Sequence, residues 1–116
     1  MGVAAVIACD AALAAECMQA NAPDTMQQGR LTRQNVGGEA AFILRIPTAE
    51  CLTGAKKSDK VRGTRTIQVY STDAKVQAAI KRFVGKDVEV HGRAFGADNP
   101  RFKAPIVMEL SDIDQI

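Results

Sequence analysis

The sequence predicts a mainly β protein with one helix, in which five strands close into a small barrel. Apolar and polar residues alternate in five short segments, and turn-forming residues separate these segments. A sixth segment, between the third and fourth strands, has the apolar spacing of a helix. A chain of 116 residues suffices for one domain with its own core. That core must be aliphatic, because only 4% of the residues are aromatic.

The predicted strands share a period of two, which is typical of strands that bury one face. The clearest is the fourth, in which Val88 and Val90 alternate with polar residues. Gly92 continues the buried positions, and we expect it to permit a bend or close packing there. The second strand is expected to end at Pro47, because a proline cannot join a central ladder. The strands cover residues 29–34, 40–47, 64–71, 86–95 and 104–113.

A helix is predicted between the third and fourth strands. Its apolar residues recur at the spacing of a single face, so it should lie against one layer of the sheet. Ser71 or Thr72 is expected to cap its N-terminus, and Gly85 to end it in a left-handed conformation. The apolar stripe consists of Val76, Ala79, Ile80, Phe83 and Val84.

The predicted element order is therefore β-β-β-α-β-β. That order is the connectivity of the OB-fold, a five-stranded Greek-key barrel with its helix between strands three and four. A generic α+β domain with an antiparallel sheet is the alternative. We expect the chain to divide into three segments: a candidate truncated signal segment (1–14), a linker (15–27) and an OB-like barrel domain (28–116).

Residues 1–14 are rich in Ala and Val and resemble an export signal. The small residues Ala12 and Ala14 have the spacing that signal peptidase favours, although a basic N-terminal region is missing. The alternative is an alanine-rich helix, which the same composition favours. The sequence has no apolar run near the ~18 residues that a membrane-spanning helix needs.

The chain has three cysteines, and their number bears on its compartment. Cleavage after Ala14 would remove Cys9 and leave Cys17 and Cys51 as an even pair. A bridge between these two would stabilise the fold by roughly 3–4 kcal/mol in the chain-entropy model. We therefore predict a Cys17–Cys51 disulfide and a periplasmic or secreted location. The alternative is a cytoplasmic protein with three reduced cysteines.

Basic residues are concentrated between the second and third predicted strands, in residues 54–65. OB-folds commonly bind oligonucleotides or oligosaccharides on the face of strands two and three and on neighbouring loops. This basic loop is therefore a candidate binding site, which residues on other strands and the last loop would extend. The alternative is a loop whose lysines only keep it solvated. The candidate binding residues are Arg45, Lys56, Lys57, Lys60, Arg62, Arg65, His91, Arg93, Arg101 and Lys103.

His91 is the only histidine of the chain. It lies between Glu89 and Arg93 on the outer face of the fourth strand, which indicates a charged, solvated ladder rather than a catalytic base. One histidine and distant cysteines do not supply the three or four ligands of a zinc-type site. The sequence also lacks nucleophile-elbow, phosphate-loop and dinucleotide-binding motifs. We therefore predict no metal, no cofactor and no enzymatic activity.

Three stretches resemble a bacterial envelope family, domain of unknown function 4431. They are FVGKDVEVHGRAFGA (83–97), with V-x-V-x-G-x-x-F after a helix that ends in Gly-Lys, APIVMELSDI (104–113) and RIPTAECL (45–52). The resemblance spans about residues 27–113 and implies an exported, OB-like domain without an established activity. Members of that family tend to carry a pair of histidines between the last two strands, where this chain has DNPRFKAP (98–105). Any function of that pair is absent here.

We expect an exported, non-enzymatic OB-like binding or interaction module whose ligand the sequence does not specify. An anionic glycan or a protein surface is favoured over nucleic acid, because exported proteins rarely meet nucleic acid and stacking platforms need aromatic residues. One alternative is a cytosolic OB-fold that binds single-stranded nucleic acid through the basic loop. Another, by analogy of scaffold alone, is an envelope inhibitor or immunity-type protein.

Overall fold

The computed structural model describes residues 16–116, so the candidate signal segment 1–14 and Cys9 lie outside the described residues. No helix in residues 16–116 is long and apolar enough to cross a membrane. The elements are β1 (Met18–Gln19), β2 (Thr25–Val36), β3 (Glu39–Thr53), a 3₁₀ turn (Lys57–Asp59), β4 (Val61–Tyr70), α1 (Ala74–Arg82), β5 (Asp87–Gly96) and β6 (Ile106–Gln115).

The five long strands form a closed barrel, because each of them pairs with two others. The order is β3-β2-β5-β6-β4, and β4 pairs with β3 to complete the circle. The β4–β6 pair is parallel, and the other four pairs are antiparallel. With α1 between β4 and β5, this arrangement confirms the predicted OB-like Greek-key barrel.

The barrel interior is aliphatic, as the composition predicts. β5 alternates strictly between buried and partly exposed positions, and Val88, Val90 and Ala94 are completely buried. Gly92 holds the inward position between Val90 and Ala94, where a Cβ atom would collide with the carbonyl oxygen of Glu109. The β5–β6 ladder also shifts register immediately before Gly92. Close packing and a local irregularity therefore both occur where the glycine predicts them.

β2 and β3 are longer than predicted, and β3 does not end at Pro47. β2 reaches both neighbours because its first half pairs with β5 and its second half with β3. The β3–β4 ladder shifts register between Arg45 and Glu50. This irregularity lets the strand continue through the proline, which has no N–H group to donate. Gly37 and Gly38, with φ values of 60° and 83°, form the turn between β2 and β3.

The predicted helix is present, but its N-cap is Asp73 rather than Ser71 or Thr72. An oxygen of the Asp73 carboxylate accepts hydrogen bonds from the N–H groups of Lys75 (2.9 Å) and Val76 (3.1 Å). The buried hydroxyl of Ser71 donates to the carbonyl of Leu110 on β6 at 2.7 Å and accepts from the N–H of Asp73 at 3.1 Å. The carboxylate is therefore the group free to satisfy the first turn.

The apolar stripe of α1 packs into the barrel core, as predicted. Val76, Ala79 and Ile80 belong to the main core cluster, and the next two apolar residues of the stripe pack against it. Gly85 follows the helix with a φ of 86°, the left-handed conformation that the sequence indicates.

The segment predicted as a linker is ordered against the barrel over residues 16–27. Cys17 and Cys51 form the predicted disulfide, with an S–S distance of 2.01 Å. Immediately afterwards β1 pairs in parallel with the end of β3, and the N–H of Asn21 donates to the carbonyl of Ala94 at 2.7 Å. The disulfide and these backbone bonds hold a polar segment whose composition alone indicates a linker.

Candidate binding face

The loop between β5 and β6, residues 97–105, folds back across the outer face of the barrel. Ile43, Gln68 and Val107 lie opposite one another on β3, β4 and β6, and all three face away from the barrel interior. Ile43 and Val107 are nevertheless 1% and 0% exposed, and Ala104 of the loop joins Ile43 in a small second core. The loop therefore covers apolar residues that an open barrel would leave in water.

Two contacts hold this loop against the strands beneath it. The backbone N–H of Lys103 donates to the side-chain oxygen of Gln68 at 2.6 Å. The rings of Phe102 and Phe95 meet edge to face, with centroids 5.8 Å apart and an interplanar angle of 71°. The loop is thus fixed to both β4 and β5.

The loop also closes on itself. The N–H of Ala97 donates to the carbonyl of Pro105 at 3.0 Å, which joins its two ends. At its tip, the side-chain oxygen of Asn99 accepts from the N–H of Arg101 at 2.9 Å, and its carbonyl accepts from Phe102 at 3.3 Å. This local turn orders an exposed stretch of chain.

A groove of about 390 Å³ lies between this loop and the start of β3, and we name it the hairpin groove. Tyr70 and Gln68 form part of its floor on β4, in the region where OB-folds commonly hold their ligands. The residues that give it its chemistry are Glu39, Gln68, Tyr70, Arg101, Phe102 and Lys103.

The cations of the hairpin groove keep most of their donors available. The side chain of Arg101 is 83% exposed, and its guanidinium lies 4.0 Å from the Glu39 carboxylate, which makes a weak, hydrated pair. The ammonium of Lys103 has one long contact, 3.5 Å, to the carbonyl of Pro100. Burial, and then the nearby Glu109 carboxylate, raises the pKa of Tyr70, so its hydroxyl stays protonated at neutral pH.

A second groove of about 280 Å³ lies on the other side of Phe102, beside the 3₁₀ turn, and we name it the turn groove. Among the described residues, no carboxylate lies within ion-pair distance of Lys56. Its main residues are Asn21, Lys56, Asp59, Arg93, Phe95, Asp98, Asn99 and Phe102, and the last two also line the hairpin groove.

The basic loop is docked against β5 rather than detached from the barrel. Asp59 is 3% exposed, and its carboxylate accepts a hydrogen bond from the N–H of Gly96 at 2.9 Å. A Cβ atom at Gly96 would collide with the carbonyl oxygen of Ser58, so only glycine permits this approach. The docked loop presents Lys56 to the turn groove.

Arg93 is engaged by its own neighbours. One of its guanidinium nitrogens donates to the side-chain oxygen of Asn21 at 2.6 Å, and another donates to the Glu109 carboxylate at 2.8 Å. The guanidinium also lies 5.2 Å from the centre of the Phe95 ring. Arg93 therefore shapes the turn groove and covers one face of this ring.

His91 lies elsewhere on the outer face, in a charged cluster with Glu89 and Asp24 that we name the histidine cluster. Its Nε2 is 2.9 Å from Glu89 and its Nδ1 is 3.2 Å from Asp24. Hydrogen bonding, first to Glu89 and then to Asp24, raises the pKa of His91. The same bond from His91, followed by one from Gln28, lowers the pKa of Glu89. Carboxylates at both ring nitrogens favour the doubly protonated ring.

The structure divides the ten predicted binding residues by location. Four of them line the two named grooves, Arg101 and Lys103 in the hairpin groove and Lys56 and Arg93 in the turn groove. Arg45 lies two residues beyond Ile43 on the same outer face of β3. Those that line neither groove are Arg45, Lys57, Lys60, Arg62, Arg65 and His91.

Sequence reasoning missed the uncharged residues of the hairpin groove. Gln68 and Tyr70 alternate with buried Ile67 and Val69, so their outward direction was available from the period of two. Phe102 had no such signal, because it lies in an irregular loop whose path the sequence does not specify. Within residues 16–116, no group of His, Cys, Asp or Glu side chains is arranged to hold a metal ion.

Fold and site together define a small OB-like barrel with two polar grooves on its outer face. Residues 66–114 match the model of the family described as Domain of unknown function (DUF4431). This match covers the C-terminal part of the chain and agrees with the family resemblance of the sequence.

One solved structure similar to this chain is the crystal structure of small single-stranded DNA-binding protein from Streptomyces coelicolor. The two are 13% identical over 80% of this chain and 91% of that chain, with a TM-score of 0.46. At that score the likeness carries no inference about a ligand. No curated protein matches the sequence.

Proposed function

We propose that this protein is a non-enzymatic binding module that holds an anionic ligand in the hairpin groove. The observation that carries the proposal is the position of Arg101 and Lys103, whose donors remain available beside the Tyr70 hydroxyl. Cations with free donors beside neutral hydrogen-bonding groups suit a ligand that carries both negative charge and hydroxyl groups.

The composition of the groove supports binding rather than catalysis. A catalytic acid or base must reach the reacting group and exchange a proton with it. His91, the residue best suited to this task, lines neither groove and is held between two carboxylates. Glu39 is exposed, and its carboxylate lies 4.0 Å from the guanidinium of Arg101.

We further propose that the protein acts outside the cytoplasm, in the periplasm or as a secreted protein. The Cys17–Cys51 disulfide supports this location, because structural disulfides persist mainly in oxidising compartments. Anionic partners available there are acidic glycans and acidic protein surfaces.

The arrangement of aromatic rings supports such partners over single-stranded nucleic acid. Proteins that bind single strands without sequence preference stack bases on exposed aromatic rings. Here Arg93 covers a face of Phe95, and the Phe102 ring packs against the same side chain. Lys57 and Arg62 of the basic loop line neither groove.

The proposal is tested by NMR titration of the labelled protein with digalacturonate, a disaccharide with two carboxylates. We expect the amide signals of Gln68, Tyr70 and Arg101 to shift. Arg101→Ala and Lys103→Ala should each weaken binding about two- to fivefold, as expected for the loss of one exposed ion pair.

Lys57→Ala is the matched control, since it removes the same charge from an exposed residue outside both grooves. Equal affinity in the wild type and all three variants would show that the hairpin groove is not the site. The nucleic-acid alternative requires salt-dependent binding of oligothymidylate that is lost in a Lys56→Ala, Lys57→Ala, Arg62→Ala triple variant.

A further inference from the structure

We propose that the ligand is a linear acidic polysaccharide that crosses Phe102 and occupies the hairpin groove and the turn groove together. This inference rests on the proposed function of the hairpin groove and extends it to the turn groove.

The two grooves are neighbours that share one wall. Asn99 and Phe102 line both of them, so a ligand leaving one groove over this wall enters the other. The Phe102 ring is half-buried and packs edge to face against Phe95 on the sheet. Because the ring lies against the barrel, the wall is a ridge that an extended chain can cross.

Each groove is small in proportion to an oligomeric ligand. Their volumes, about 390 and 280 Å³, lie near the lower end of the range for pockets that enclose a drug-sized molecule. A single groove therefore suits one short unit of a ligand, and a longer ligand requires both.

Each groove has a lysine with which a repeating anion could pair, beside the carboxylates of Glu39 in the hairpin groove and of Asp59 and Asp98 in the turn groove. Among the described residues, neither Lys103 in the hairpin groove nor Lys56 in the turn groove has a carboxylate within ion-pair distance. These cations lie on opposite sides of Phe102. A longer chain with a carboxylate on every unit can neutralise both lysines, whereas a dimer that fills one groove reaches only one of them.

The neutral groups favour a hydroxyl-rich chain over a chain of bases. Tyr70 contributes a hydroxyl to the hairpin groove, and Asn99 contributes an amide to the wall between the grooves. The ring face of Phe95 that a base would need lies under the Arg93 guanidinium. Hydrogen bonds and ion pairs are therefore available along the path, and stacking on this ring is not.

The test compares oligogalacturonates of two and eight units by isothermal titration calorimetry on the wild-type protein. The longer chain should bind about tenfold tighter or more after correction for its number of binding registers, because its second contact is intramolecular. Lys56→Ala should remove about two- to fivefold of the affinity for the longer chain and leave that of the dimer unchanged. Lys103→Ala should weaken the binding of both oligogalacturonates, and Lys57→Ala should change neither affinity.

The outcomes separate this inference from the function on which it rests. Equal corrected affinities, or no effect of Lys56→Ala on the longer chain, overturn the two-groove ligand. If Lys103→Ala still weakens the dimer in that case, the hairpin groove remains a site for a short anion. If neither oligogalacturonate binds, both proposals are wrong for acidic sugars. If octathymidylate binds instead, and Lys56→Ala and Lys103→Ala each weaken that binding, the ligand of the two grooves is nucleic acid and not a polysaccharide.

Discussion

The two halves of β5 present opposite electrostatic arrangements on one outer face. In the first half, His91 lies between the carboxylates of Glu89 and Asp24, so the charged groups are paired with one another within the protein. In the second half, the strand borders the turn groove, in which Lys56 has no carboxylate within ion-pair distance among the described residues. Charge density alone does not mark a binding site. The useful signal is charge that the protein leaves for a ligand to neutralise.

Residues 18–24, which we name the strap, contact both halves of β5. The side chain of Asn21 accepts a hydrogen bond from Arg93 beside the turn groove, and Asp24 pairs with His91. The disulfide at Cys17 fastens the start of the strap to β3. Variants of the strap should therefore affect both regions, whereas variants of the 3₁₀ turn should affect only the grooves.

The largest expected effect follows from loss of the disulfide, which should destabilise both the histidine cluster and the region of the grooves. The Cys17→Ala, Cys51→Ala double variant should lose roughly 3–4 kcal/mol of unfolding free energy, because the bridge closes a long loop of the unfolded chain. Urea denaturation measures this change. Reduction of the wild type should give the same loss, and a stability unaffected by reduction would contradict the prediction.

The next largest effect should change the region of the grooves and leave the histidine cluster unchanged. Gly96→Ala should lose about 3 kcal/mol, because its Cβ atom would collide with the Ser58 backbone and push the 3₁₀ turn off β5. Thermal and urea unfolding measure the loss. Gly63→Ala is the control, since the nearest atom to its Cβ is 4.0 Å away. The pKa of His91 should not move in either variant, and a shift in Gly96→Ala would show that the regions are coupled.

A smaller effect should follow from removing the carboxylate that docks the same turn. Asp59→Ala leaves the buried N–H of Gly96 without an acceptor and should cost about 1–2 kcal/mol. Asp59→Asn retains an oxygen in the same place and should cost less. Urea denaturation of both variants tests this order. Equal losses in the two variants would mean that the hydrogen bond does not hold the turn.

The smallest effect is the pH dependence of the histidine cluster. The folded pKa of His91 is raised above 6.5, so its contribution to stability is complete below that pH and lost as pH rises through the folded pKa. The folded pKa of Glu89 is lowered below 4.5, so its contribution is present above that pH and lost on acidification through the folded value. The cluster should therefore stabilise the fold most between pH 4.5 and 6.5.

One NMR signal tests this directly, because the chain has a single histidine. The ring proton of His91 should titrate above pH 6.5, and Glu89→Gln should move its midpoint down. Lys75→Ala, on the exposed surface of α1, should leave it unchanged. A midpoint below the ordinary value would mean that the paired geometry does not persist in solution.

The barrel was predictable because its signals are local and repeated. Val88 and Val90 mark the inward face of β5, and Gly85 marks the end of the helix, each from nearest neighbours in sequence. The N-cap was not predictable in the same way, because the hydroxyl of Ser71 is oriented by the carbonyl of Leu110, which is distant in sequence, and accepts from the N–H of Asp73. Tertiary contacts outweighed local preference at this position.

The site was less predictable, because it depends on the path of an irregular loop. The sequence indicated the cations Arg101 and Lys103 but not that the loop lies across the sheet. Ile43 was the available clue, since it is apolar at a position that should face water. An apolar residue on the polar face of a strand indicates that something covers it.

The hydrogen bond that joins Ala97 to Pro105 has an evolutionary consequence. The β5–β6 ladder reaches the pair Gly96 and Ile106 before this loop begins, so closure of the barrel does not depend on what the loop contains. Its tip can therefore accumulate substitutions, insertions or deletions that change ligand preference while the scaffold is inherited intact. Homologous barrels can diverge in what they recognise by rewriting fewer than ten consecutive codons.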